Sequence, residues 1–119
     1  MILGRFYFKL TESGNLLGEY SNNAMGRIST ESADRIPSLA TRDFIGNYNS
    51  TWFEQGAELL TLSISRKPRT NEMIFLLIWS DSNNVPLFMG EGFICENLLI
   101  GNYWDSEVQN EIGNRLIQP

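Results

Sequence analysis

Apolar and polar residues alternate with a period of two along most of this chain. Phe6, Phe8 and Leu10 fall on one side and Arg5, Tyr7 and Lys9 on the other, which is the pattern of a strand with one buried face. Thr11-Glu12-Ser13-Gly14-Asn15 then turns, and the alternation resumes from Leu16 to Asn22, so the first two strands form a hairpin. Phe44 to Phe53 reads as a longer strand with Phe44, Gly46, Tyr48, Ser50 and Trp52 inward. After a turn at Glu54-Gln55-Gly56, Leu60, Leu62 and Ile64 alternate with Thr61, Ser63 and Ser65. Met73-Ile74-Phe75-Leu76-Leu77-Ile78-Trp79 is apolar on both faces and requires cover on both. Pro86 marks the next strand start, and Leu87 to Glu96 with Leu98 to Trp104 makes a second hairpin.

Two segments depart from this rhythm. Residues 23–42 are polar and contain Pro37. They are expected to be a long connection, with a short helix near Thr30 to Arg35 capped by Ser29 or Thr30. Residues 106–117 read as a terminal helix. Ser106-Glu107-Val108-Gln109 fits a capping box, and Val108, Ile112 and Leu116 form one apolar stripe. The stripe is expected to cover the outer face of the 73–79 strand.

Four segments share one motif: Leu16-Leu17-Gly18-Glu19-Tyr20, Phe44-Ile45-Gly46-Asn47-Tyr48, Phe88-Met89-Gly90-Glu91-Gly92 and Leu99-Ile100-Gly101-Asn102-Tyr103. Strand phase sets each glycine and tyrosine on the inner face and Glu19, Asn47, Glu91 and Asn102 outside. Glycine at such positions marks crowding of curved strands or close approach of a ligand. Consecutive strands with short turns predict a mainly all-β fold, an antiparallel meander barrel of seven to eight strands with a C-terminal helix. A half-open sheet around that helix is the alternative.

Composition narrows the chemistry. A chain of 119 residues is read as one domain, 1–119, able to bury a core without disulfide or metal. The net charge of −5 argues against a nucleic-acid partner, and Arg66-Lys67-Pro68-Arg69 reads as a charged hairpin loop. Histidine is absent, so neither a Ser-His nor a Cys-His pair nor a standard zinc set can be built, and no metal or cofactor is expected. Cys95 lies in an apolar strand and reads as a buried, inert thiol. No segment is long and apolar enough for a membrane helix. Strand-like sequence follows Met1 almost directly, without a signal peptide pattern, which sets the expectation of a cytoplasmic protein.

The residues Phe6 to Asn22 (FYFKLTESGNLLGEYSN) resemble the second and third strands of avidin-like barrels. The strand ending at Trp79, followed by Leu87 to Phe93 with its central glycine, is similar to a later hairpin of that family. The broader likeness is to calycin-type barrels. It implies a meander barrel with a ligand cavity at one end. Tyr20 and Asn22 would there bond a ligand's urea-like head, and Trp79 would pack on the ligand. The family's first strand has no counterpart before Gly4, its glycine-threonine-tryptophan-tyrosine run being approached only at Ser50-Thr51-Trp52-Phe53.

Three functions follow from these observations. One is a non-enzymatic barrel that binds a small, mostly apolar ligand inside, through the inward set Tyr20, Asn22, Tyr48, Trp52, Trp79 and Tyr103. Against this stands the expectation that the same rings merely fill the core. The second is an interaction or adaptor domain, including a homo-oligomer formed through the outer face of the 73–79 strand. The third is a carboxylate-based isomerase or hydrolase using Glu19 and Glu91 as acid and base, although strand phase sets both outside.

Overall fold

The computed structural model describes residues 1–52 and 59–117, with the side chains of Trp52 and of residues 114–117 left aside. Eight strands run in chain order: β1 (Leu3–Leu10), β2 (Leu16–Asn22), β3 (Ser29–Ile36), β4 (Gly46–Trp52), β5 (Leu59–Arg66), β6 (Phe75–Ser80), β7 (Pro86–Cys95) and β8 (Leu98–Asp105), followed by α1 (Ser106–Ile117). Each strand pairs antiparallel with the next, and β8 returns to β1 to close the barrel. Closure uses a seven-residue ladder from Leu3↔Trp104 to Lys9↔Leu98, leaving no edge strand among the described residues. The meander barrel and terminal helix expected from the alternation are therefore the fold of this chain. The turn at 54–56 lies outside the described residues.

Turn chemistry explains the short connections. Gly14 takes φ 86° in the β1–β2 turn, where its N–H donates to the Thr11 carbonyl at 3.0 Å and the Asn15 N–H to Thr11 Oγ1 at 3.0 Å. Glu96 and Asn97 both have positive φ, 52° and 65°, as a two-residue hairpin turn of matching twist requires. That short turn carries the end of β7 outward. Cys95 is exposed, not buried as its apolar neighbours suggested.

Residues 23–42 hold the largest difference from expectation. Instead of a connection with a short helix, they contain β3, which pairs with β2 and with β4. Its alternation is regular but chemically inverted. Ser29, Glu31, Ala33 and Arg35 are buried, whereas Thr30, Ser32, Asp34 and Ile36 are exposed. A polar segment hides its period when hydrophobicity alone is used to detect the inward face. β3 also completes the barrel without the strand that the avidin-like pattern has before Gly4.

The helix differs too. Its N-cap is Asp105, whose Oδ1 accepts from the Val108 N–H at 3.0 Å, while Oδ2 accepts from the Ile2 N–H at 2.9 Å. Gln109 accepts from Trp104 Nε1 at 2.7 Å rather than closing a capping box with Ser106. α1 packs chiefly beside β7 and β8, with Val108 buried and Ile112 exposed. Among the described residues its main contacts are not with β6, and the side chain of Leu116, the last of the expected stripe, lies outside the described residues. On the outer face of β6, Leu76 and Ile78 are half-buried beside Glu91 and Met89 of β7.

Three of the four repeat glycines, Gly18, Gly90 and Gly101, are explained by strand crowding, whereas Gly46 lies against the Arg35 guanidinium. A Cβ on Gly18 would collide with the Tyr7 carbonyl, and one on Gly101 with the Glu91 carbonyl. The inner wall does not hold open space at Gly90 either, where the Trp79 and Tyr103 side chains close in at 3.3 Å. Gly101→Ala is therefore expected to destabilise the barrel by about 1–3 kcal/mol through forced separation of β7 and β8, read as a lower urea midpoint at unchanged m-value.

Candidate functional site

Viewed with the β1–β2 turn at the bottom, the barrel has two chemically different halves. The bottom is closed by Arg35 of β3. Its Nε donates to the Gly14 carbonyl at 2.9 Å, Nη1 to the Ile45 carbonyl at 2.9 Å, and Nη2 to the Asp43 carbonyl at 2.6 Å and the Tyr48 hydroxyl at 2.7 Å. The guanidinium carbon stands 4.8 Å from the Tyr48 ring centroid. Tyr48 in turn donates to the Phe44 carbonyl at 2.7 Å. One cation thus joins the β1–β2 turn to the β3–β4 connection, and Tyr48 belongs to this plug.

The upper half holds the aromatic set. Tyr103 lies 6.3 Å from Tyr20, 5.9 Å from Trp79 and 5.9 Å from Phe88 between ring centroids, and Phe6 meets Trp79 edge-on at 5.8 Å. Asn22 Nδ2 donates to the Tyr103 hydroxyl at 2.9 Å. Its Oδ1 accepts from the Ala24 N–H at 2.8 Å. Tyr20, Asn22, Trp79 and Tyr103 therefore come together, whereas Tyr48 stands at the opposite end. The side chain of Trp52 lies outside the described residues; its backbone pairs with Glu31.

Glu31 is the residue the alternation did not single out. It is 3% exposed on the inner wall. Its Oε2 accepts from Ser50 Oγ at 2.5 Å and from Trp79 Nε1 at 2.8 Å. Three strands thus contribute to one polar centre beneath the aromatic cluster. The signal that could have found it is the spacing of Glu31 and Arg35, two opposite charges four residues apart on one strand face, beside a strand whose own inner face contains Ser50. Burying a carboxylate needs hydrogen-bond donors around it, and Ser50 and Trp79 supply two.

The two repeat glutamates do not share a cavity. Glu19 accepts a short hydrogen bond from the Tyr7 hydroxyl, and Glu91 pairs with Lys67 Nζ at 2.8 Å. They project from the outer faces of β2 and β7, which β1 and β8 separate. The Tyr7 hydroxyl has its pKa raised, first by the bond to the Glu19 carboxylate, then by burial and by that carboxylate's charge.

Fold and site define a closed, eight-stranded antiparallel meander barrel with a C-terminal helix and a buried polar centre, consistent with a calycin-like fold in general. No family model matches the chain, nor does any curated protein sequence or solved structure match it significantly.

Burial pushes the Tyr48 hydroxyl up to about 12, opposed by the Arg35 charge and reinforced by Asp43. Its folded pKa exceeds the unfolded value of about 10, so the stability it contributes is complete below pH 10 and is lost as pH rises toward 12. Ultraviolet titration is expected to show a tyrosine ionising near pH 12. Tyr48→Phe should remove that step and flatten the stability loss above pH 10. Arg35→Met is expected to cost about 3 kcal/mol in urea unfolding, because it strands buried carbonyls.

Proposed function

We propose that this chain is a non-enzymatic binding protein that takes a small, mostly apolar ligand into the upper half of its barrel. Glu31 carries the reading. An inward carboxylate helps to align β3 but adds little to stability, since an apolar residue of similar volume often stabilises as well or better. Here the carboxylate is fixed by Ser50 and Trp79 from two further strands. It lies next to the packed rings of Tyr20, Trp79, Phe88 and Tyr103, which a ligand entering the upper half would have to part. An apolar surround with one oriented polar group is the usual composition of a small-molecule site.

On this reading, the aromatic wall contacts the ligand body and Glu31 orients its polar end. Asn22 and Tyr103 form the polar rim above. The free, exposed Cys95 suits a reducing compartment, and we place the protein in the cytoplasm as part of the same proposal. Neither Glu19 nor Glu91 takes a catalytic role in it.

Thermal shift with homologous alkyl alcohols, acids and amines tests the proposal. At a hundredfold excess over Kd, a bound member is expected to stabilise the fold by about 2.7 kcal/mol, roughly 10 °C for a domain of this size. Glu31→Leu should remain folded and lose most of that shift, while Glu31→Gln should retain part of it. Native mass spectrometry of the purified chain reads the same complex directly. Absence of any adduct together with no shift from any series, or an undiminished shift in Glu31→Leu, would overturn the proposal.

A further inference from the structure

The outer wall formed by β7, β8, β1 and β2 is unlike the rest of the barrel surface. Its middle row, set by the strand registers, is Phe93, Ile100, Tyr7 and Glu19. Phe93 is 59% exposed and Ile100 37%, and in the row below Leu17 is 53% exposed. Phe93, Ile100, Tyr7 and Glu19 border a groove of about 440 Å³, lined also by Leu98 and by Ile28 of the β2–β3 connection. Three rows across four strands cover about 400 Å², from a strand spacing of ~4.8 Å and a two-residue repeat of ~6.7 Å. Within that area Phe93, Ile100, Leu98 and Leu17 form one partly exposed apolar cluster rimmed by polar residues, the composition that marks an interaction site.

We infer that this face is where two copies of the chain meet. The argument is electrostatic. The chain as a whole carries −5, so two copies repel each other over most of their surfaces. On this face the acidic excess is absent: Arg5 and Lys9 project from β1, against Glu19 from β2, while Glu91 from β7 is already paired with Lys67. A basic partner would select an acidic face, whereas a second acidic copy needs a neutral one. The face is also self-complementary. A two-fold axis lying in it and running diagonally past Tyr7 sets Arg5 opposite the second copy's Glu19, and Phe93 opposite the second copy's Leu98. A small ligand is a poorer occupant, because one outer wall leaves its far side in water, whereas ligand sites enclose most of their guest.

Two such faces bury on the order of 800 Å², plus a rim. That is the low end for specific association, so a reversible dimer with Kd about 10–100 µM is expected. Sedimentation equilibrium of the full chain from 1 µM to 1 mM, as round working limits of about that size, measures it. Phe93→Glu replaces an exposed side chain, so the monomer should keep its circular dichroism and melting point while Kd weakens at least about tenfold. Arg5→Glu should weaken the dimer, and adding Glu19→Arg should restore it. A monomer at every concentration would overturn the inference. So would a dimer that ignores Phe93→Glu but is lost in Met73→Glu, which would assign the contact to the β6 side. Binding of an apolar dye in this groove without a change of mass would reassign the face to a small ligand.

Discussion

The burial of β3 is the constraint on which the rest of the structure depends. Its inner face presents Ser29, Glu31 and Arg35 to the interior, and a charged group is tolerated there only when its hydrogen bonds are met. Arg35 meets this requirement with backbone carbonyls from the β1–β2 turn and the β3–β4 connection, together with the Tyr48 hydroxyl. Glu31 meets it with Ser50 and Trp79. Both satisfactions demand that β3 lie between β2 and β4 in a single register. A one-residue slip would turn Glu31 and Arg35 outward and bring Asp34 inside. The same contacts that make β3 tolerable thus align it.

This division also separates the two ends of the barrel. The Arg35 plug knits the bottom through backbone groups, so it acts on structure. The upper half draws its polar atoms from side chains on different strands, which gives it chemical character beyond packing. Rings of Tyr103 and Trp79 occupy the space over Gly90. The glycines therefore serve the coil of the sheet, and the recognition chemistry in the proposed function rests on Glu31 and the rings around it.

Much of the architecture was legible as alternation. Phe6 and Phe8, Leu62 and Ile64, and Phe75, Leu77 and Trp79 are buried as their period requires. Gly18, Gly90 and Gly101 lie where interstrand crowding admits no side chain. Three further features were not legible from the hydrophobic period. β3 is polar on its buried face, so hydrophobic period cannot reveal it. The helix cap moved to Asp105 because that carboxylate also holds the Ile2 N–H. α1 lies beside β7 and β8 rather than over β6 because it follows β8 directly at the barrel's upper end.

What the sequence determined by itself is therefore the local part: strand phase, the turns at Gly14 and at Glu96-Asn97, and the grouping of Tyr20, Trp79 and Tyr103 on inward faces. These depend on side-chain alternation and backbone preference within a few residues. Tertiary structure decided closure through β1 and β8, the separation of Tyr48 from the other tyrosines, and the pairing of Glu31 with Ser50 and Trp79. The physical reason is that a buried charge derives its stability from donors far away in the chain. Trp79 lies 48 residues from Glu31, and no local pattern encodes that distance.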